Sequence, residues 1–328
     1  MVKLFKSAGE DKKVTRILFA SDLHGSNAFF RKLMSAALQY QANIIIVGGD
    51  VTGKAMIPII HQGKGRYEGY LFNVKEEPST PEELERFKQR ISNVGFYPIV
   101  LEKDEAEDLE AHPDKMARRF EQEMVVRVRE WLTEYEEKLV PKGITLYFMP
   151  GNDDPYVIDS VIAEFQHVRN PDGQVFWLDE HHEFAGISNA NMTPWKCARD
   201  VEEDVLAERL EKLASQLSHP ERAVLAIHVP PYDSQIDVCP ELDENLKIKT
   251  LGGQVLMKPV GSTSVRKFIE TVQPMLTLHG HIHEAAGHIR IGRTLAINPG
   301  SEYAEGIMKA AIINLEPERV KGHMLISG

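Results

Sequence analysis

The sequence is poor in cysteine: Cys197 and Cys239 are the only two among 328 residues. Two thiols make neither a disulfide framework nor, alone, a zinc–thiolate site, so a reducing, cytoplasmic setting is expected. No apolar run approaches the roughly 20 residues of a membrane span, so no membrane partner is expected. The opening MVKLFKSAGEDKK lacks the apolar stretch of a secretory signal. Basic residues are also in deficit, with 38 Lys and Arg against 49 Asp and Glu and a net charge of −11. Phosphate-backbone affinity comes from clustered Lys and Arg, so nucleic acid is not the expected partner. There is no G-x-x-x-x-G-K-[ST], which leaves a P-loop without support, and no H-E-x-x-H helix of the mononuclear zinc type. Internal repeats, low-complexity tracts and Gly/Ser linkers are absent too. An apolar fraction of 42% is enough for a buried core.

Short apolar runs alternate with helical patterns. Residues 14–20 (VTRILFA) read as a strand, 28–40 as an amphipathic helix that Ser26 or Asn27 caps, and 44–47 as a second strand. Strand, helix, strand at this spacing is a βαβ unit with a parallel sheet. The next strand of this type, 144–149, comes only after an insertion at 54–142, far longer than an ordinary crossover. That insertion is mildly acidic and holds a long helix at 113–139, with Met116, Phe120, Met124, Val128, Trp131, Leu132, Tyr135 and Leu139 as its apolar stripe. Strands at 175–178, 183–187, 223–227 and 275–278 and helices at 202–217 and 264–272 follow. Four consecutive strands close the chain (287–291, 294–297, 310–315, 320–326). The expectation is one α/β domain over 1–328 with a helical, cap-like insertion.

Metal-type side chains stand just past successive strands. Asp22 and His24 follow the first, Asp50 the second and Asn152 the third; His228 follows 223–227, and His281 and His283 follow 275–278. In open α/β sheets ligands bind at the carboxyl ends of the strands, so donors distant in sequence can meet there. Seven nitrogen and oxygen donors are too many for one tetrahedral zinc and suit two ions if one carboxylate bridges. Two aspartates against two dications leave a net +2, which attracts phosphate and hydroxide.

Asp22-Leu23-His24, Gly49-Asp50, Gly151-Asn152, His228 and Gly280-His281-Ile282-His283, in this order, resemble the calcineurin-like metallophosphoesterase superfamily. The resemblance spans about residues 15–300. It implies a four-layer α/β/β/α sandwich and a pair of divalent ions drawn from Mn (manganese), Fe, Zn, Ni and Co, with no choice among them made from sequence. By matching position, Asp22, His24 and His283 would hold the first ion and Asn152, His228 and His281 the second, with Asp50 bridging. Asp50, Asn152 and His228 are the residues to which it assigns catalysis. The implied reaction is hydrolysis of a phosphoester, a diester or a broader set of small phosphorylated substrates, by a metal-bridging hydroxide. The alternatives are a binding scaffold that has lost catalysis and a nuclease.

One position departs from the pattern. Where the superfamily commonly has a histidine that assists the leaving group, this chain has Asp153, followed by Asp154. A carboxylate beside two dications stays ionised and has no proton to give, so Asp153 is read as an outlying residue of the site. His61, from the insertion, is one candidate replacement. Other histidines read as structural: His112, His167, His219 and His323 at surfaces or helix ends, His181-His182 at an exposed polar turn, and His279 in the core or behind the metal ligands. The loops Ser188–Asn191, His228–Tyr232 and Asn298–Ser301 are candidates for substrate contact or ordinary turns.

Overall fold

A computed structural model describes residues 14–328, so the opening stretch in which no secretory signal is expected lies outside the described residues. Two six-stranded mixed sheets pack face to face. The first runs Arg319–Ser327, Lys309–Glu316, Thr15–Ala20, Ile44–Gly48, Thr145–Met149, Val168–Arg169. Its last four strands are parallel, and the C-terminal hairpin joins antiparallel. The second runs Gly287–Ile291, Thr294–Asn298, Leu276–Leu278, Val224–Ile227, Glu183–Ile187, Phe176–Trp177. Here the four inner strands are parallel and both edge strands antiparallel.

The strands are apolar throughout because both faces are covered. Ile17 and Phe19 point between the sheets, where they meet Tyr147, Phe184, Leu276 and Ile297. Leu18 and Ala20, on the opposite face, meet the outer helices Asn27–Gln39 and Pro113–Lys138. The second sheet is covered by Glu203–Ala214 and Thr263–Val272 through Leu206, Leu210, Val265 and Ile269. The layers are therefore α/β/β/α, as the resemblance implied. Ser26 caps its helix by accepting from the Phe29 amide at 3.2 Å.

The insertion contains the expected long helix, Pro113–Lys138, and also two helices, Pro81–Asn93 and Lys103–Ala111, and a sheet that the apolar pattern did not reveal. Val74–Glu76, Tyr67–Leu71, Met56–His61 and Tyr97–Leu101 form four strands. Helix Pro81–Asn93 lies on them over a small core of Ile59, Phe87 and Ile91. The strands are short and one face is half exposed, so their periodicity is weak. The long helix Pro113–Lys138 serves both parts. Its Phe120 meets Tyr97 of the inserted sheet edge-on at 5.8 Å. Further along, Val128, Trp131, Leu132 and Tyr135 join the core of the body. Trp131 stacks on Phe30 at 4.7 Å, and its Nε1 donates to Asn27 Oδ1 at 2.6 Å.

Because Trp131 closes the layer outside the first sheet, Trp131→Ala is expected to destabilise the whole protein by about 3–5 kcal/mol. Urea unfolding checks this. An unchanged midpoint would contradict the packing of the long helix on the body.

Candidate metal centre

The strand ends of both sheets deliver their polar residues to one edge. The turns there are tight: Asp22, His24, Asp50 and His281 all have left-handed backbones, with φ of 58°, 41°, 46° and 67°. Such conformations cost roughly 1–3 kcal/mol each for non-glycine residues and persist only where the surroundings hold them. Here backbone hydrogen bonds prolong the parallel ladder past the strands. The Asp22 amide donates to Gly49 O at 2.9 Å, His24 to Asp50 O at 3.0 Å and Gly25 to Val51 O at 2.8 Å. The His281 amide donates to the Asp22 carboxylate at 3.0 Å, joining the two sheets. The glycines before the donors permit this crowding. A Cβ on Gly49 would come to 2.2 Å from His228 Nδ1, and one on Gly280 to 2.2 Å from Asp22 Oδ2.

All seven donors come together. Asp22, His24 and His283 form one group whose ligand atoms lie within 4.8 Å of one another, and Asp50, His228 and His281 form a second. Asp50 stands between the groups, with Oδ2 at 3.8 Å from His24 Nε2 and Oδ1 at 3.4 Å from His228 Nε2. His283 Nε2 is 3.4 Å from Asp22 Oδ1 and 3.1 Å from His24 Nε2. Asn152 Oδ1 is 2.9 Å from His281 Nδ1 and 3.1 Å from His228 Nε2.

The donor chemistry fits divalent cations. His228 Nδ1 is 2.9 Å from Gly48 O, and His24 Nδ1 is 3.3 Å from Thr52 O. Each ring thereby directs Nε2 into the cluster, the usual arrangement behind a metal-binding imidazole. His279 makes the contrast. Its Nδ1 meets Ile227 O at 2.7 Å and its Nε2 meets Thr277 Oγ1 at 2.9 Å, so this buried ring is satisfied within the core.

Burial and mutual charge separate the histidines. Burial, then the Lys54 cation, lowers His24 to about 3, although Asp50 works against them. Burial, then the His228 charge, lowers His281 to about 4. Burial opposes charge on His228 as well, but Asp50, by charge and hydrogen bond, and then Asp22 carry it up to about 9. Burial would raise Asp50; the His228 cation and hydrogen bond overcome it and hold the carboxyl well below its ordinary value.

Several residues that the motif spacing did not single out set this geometry. Asp200 accepts from Asn152 Nδ2 at 2.7 Å, which fixes the amide with its oxygen toward the histidines. Its other oxygen is held by the Thr193 amide and hydroxyl and the Cys197 amide. Asp154, fully buried, accepts from the amides of Val51, Thr52 and Gly151 and from the Thr52 hydroxyl, at 2.6–2.9 Å. Tyr303 lies against His24 with ring centroids 4.5 Å apart and meets His283 edge-on at 5.7 Å. A cleft of about 410 Å³ begins there, lined by His283, Pro299, Ser301, Tyr303 and Lys309 among others.

Asp153 lies closer to the centre than expected. It forms a group with His24 and Asp50, its amide donates to Asp50 Oδ1 at 3.0 Å, and its carboxylate pairs with Lys54. His61 is not part of the cluster; it bonds Glu102 at 2.9 Å beside Tyr67. His182 is buried rather than at the surface, because Asp179 binds its Nδ1 at 2.8 Å and its Nε2 meets Glu316 O at 3.2 Å. Asn189 is tied to Arg199 O and Arg209. In the 298–301 loop Asn298 accepts from Gly300 at 2.9 Å, and Ser301 Oγ donates to Asp22 O at 2.7 Å. That loop supports the donors from behind.

No family model matches the chain. An uncharacterized protein of Methanocaldococcus jannaschii is 29% identical over 153 residues, 46% of this chain and 62% of that protein. The chain thus spans less than two thirds of that relative's length. One solved crystal structure aligns over 96% of this chain and 99% of its own, at 17% identity and a TM-score of 0.53. The crystal structure of a dimetal phosphatase from Danio rerio aligns over 95% and 98%, at 9% identity and a TM-score of 0.44. At these identities the likeness to solved structures is one of fold. In its layers and in the order of its donors, the chain resembles the calcineurin-like metallophosphoesterase superfamily. No helix among the described residues is long and apolar enough to cross a membrane.

The raised pKa of metal-free His228 has a measurable consequence. At pH 7 the ring carries a proton that a metal ion must displace, so binding should release about one proton per ion held by His228. Affinity should rise with pH up to about 9 and flatten above it. Mn²⁺ titration calorimetry in buffers of differing ionisation enthalpy measures the release; none at pH 7 would contradict the assignment.

Proposed function

We propose that the protein is a metal-dependent phosphoester hydrolase that works with two divalent ions on a small phosphorylated substrate. The observation that carries this reading is Asp50, whose two oxygens divide between two groups of nitrogen and oxygen ligands, at 3.8 Å from His24 and 3.4 Å from His228. Asp22, His24 and His283 would hold one ion; Asn152, His228 and His281 the other; Asp50 both. The mixed imidazole and carboxylate set suits Mn, Fe, Zn, Ni or Co. When bound, the ions would supply positive charge for a phosphoryl oxygen and a water made nucleophilic at neutral pH.

The chain's own part is positioning. Asp200 aims the Asn152 oxygen inward. Asp154 ties the Asp50 and Asn152 loops together. Tyr303 covers one side of His24, leaving the substrate to enter by the cleft beside His283 and Ser301. Asp153 in the usual histidine position supports a second reading, a metal-binding scaffold with little catalysis.

Hydrolysis of bis-p-nitrophenyl phosphate and p-nitrophenyl phosphate by chelated protein, with and without Mn²⁺, separates the two. The hydrolase reading expects Mn²⁺ to restore activity in the wild type and to leave Asp50→Asn at least ~100-fold lower. Two bound ions with no turnover of either substrate would favour the scaffold. With no proton donor at position 153, an aryl phosphodiester should be cleaved far faster than an alkyl one, and comparable rates would contradict this.

A further inference from the structure

Lys54 is the first residue of the insertion, and its ammonium pairs with the Asp153 carboxylate at the rim of the cluster. The pair is not an ordinary surface ion pair. Asp153 belongs to the group it forms with His24 and Asp50, with ligand atoms within 4.8 Å of one another. It adds a third carboxylate to Asp22 and Asp50, at the rim of the cluster. Left alone, that charge would repel an anion. Lys54 cancels it, and an ammonium has three donors, of which Asp153 engages one.

The backbone under Lys54 is held, while its side chain stays 39% exposed. Thr52, two residues before it, is bound through amide and hydroxyl to Asp154 Oδ1 at 2.8 and 2.6 Å. The Gly53 amide donates to the Tyr97 hydroxyl at 2.6 Å. Tyr97 is a strand residue of the inserted sheet, and the Arg127 guanidinium of the long helix lies 5.2 Å from its ring centroid. Arg127 also donates to Gly25 O, one residue past His24, and to Ser92 Oγ at 3.0 Å. The insertion therefore braces both the His24 turn and the base of Lys54. A charge anchored at its root, paired through one donor with Asp153 and on a partly exposed side chain, is suited to a ligand that comes and goes.

We propose that Lys54, neutralising Asp153, is a substrate-anion residue whose remaining donors take a phosphoryl oxygen, and that the insertion exists in part to hold it there. This rests on the phosphohydrolase reading above. Lys54 supplies charge and hydrogen bonds; no bond to it forms or breaks.

The test uses full-length protein loaded with Mn²⁺, metal content measured for each variant, and inorganic phosphate as the probe in calorimetry, beside KM and kcat for bis-p-nitrophenyl phosphate. Lys54→Ala should keep its metal and weaken phosphate binding roughly 10- to 100-fold, with a matching loss of kcat/KM. Lys54→Arg should recover most of the affinity. Asp153→Asn added to Lys54→Ala should recover part of it, because the repelling charge is gone, which a merely structural lysine would not produce. Phosphate affinity within twofold of wild type in Lys54→Ala would overturn the proposal, as would loss of metal from that variant. A wild type that binds metal yet neither binds phosphate nor hydrolyses the ester would instead fail the hydrolase reading itself, and the proposal with it.

Discussion

The centre depends on one buried carboxylate more than on any of its ligands. Asp154 gathers four donors from two loops that lie about a hundred residues apart, either side of the insertion. The Asp50 turn is left-handed and the Asn152 loop follows a different strand, so neither has local reason to meet the other. Hydrogen bonds to a charged group contribute roughly 1.5–3 kcal/mol each, enough together to offset the strain of the Asp50 turn. Burial and the neighbouring Asp50 charge raise the Asp154 carboxyl above its ordinary range, and its donors oppose them. Everything that Asp50 does between the two ligand groups rests on this clamp.

A second constraint is the space between the sheets. Their inner faces share one core, while their strand ends must bring Asp22 and His281 within a hydrogen bond, at 3.0 Å. A side chain on Gly280 would fill that gap. The glycine-then-donor spacing of the motifs is thus the footprint of close approach in three dimensions. The insertion enters the same economy of space from outside, through Arg127, Tyr97 and Gly53.

The layered fold was legible because its strands are continuous apolar runs and its helices have a clear stripe. The seven donors were legible because each stands just past such a run. Residues that act on the donors were not, since Asp154, Asp200 and Tyr303 belong to no periodic pattern and are read only through their partners. Asp200 is ordinary in sequence; what marks it is the Asn152 amide 2.7 Å away. The inserted sheet escaped notice because strands such as Met56–His61 carry a proline and are only partly buried. His182 was misplaced for a related reason: a polar turn in sequence is buried once Asp179 and the C-terminal hairpin close on it.

The central claim is that this edge holds a pair of ions. Crystals grown with Mn²⁺, with anomalous data collected at the manganese edge, test it most directly. The account predicts two peaks about 3.5–4 Å apart, one between Asp22, His24 and His283, the other between Asn152, His228 and His281, with Asp50 touching both. A single peak, or ions bound away from Asp50, would contradict it.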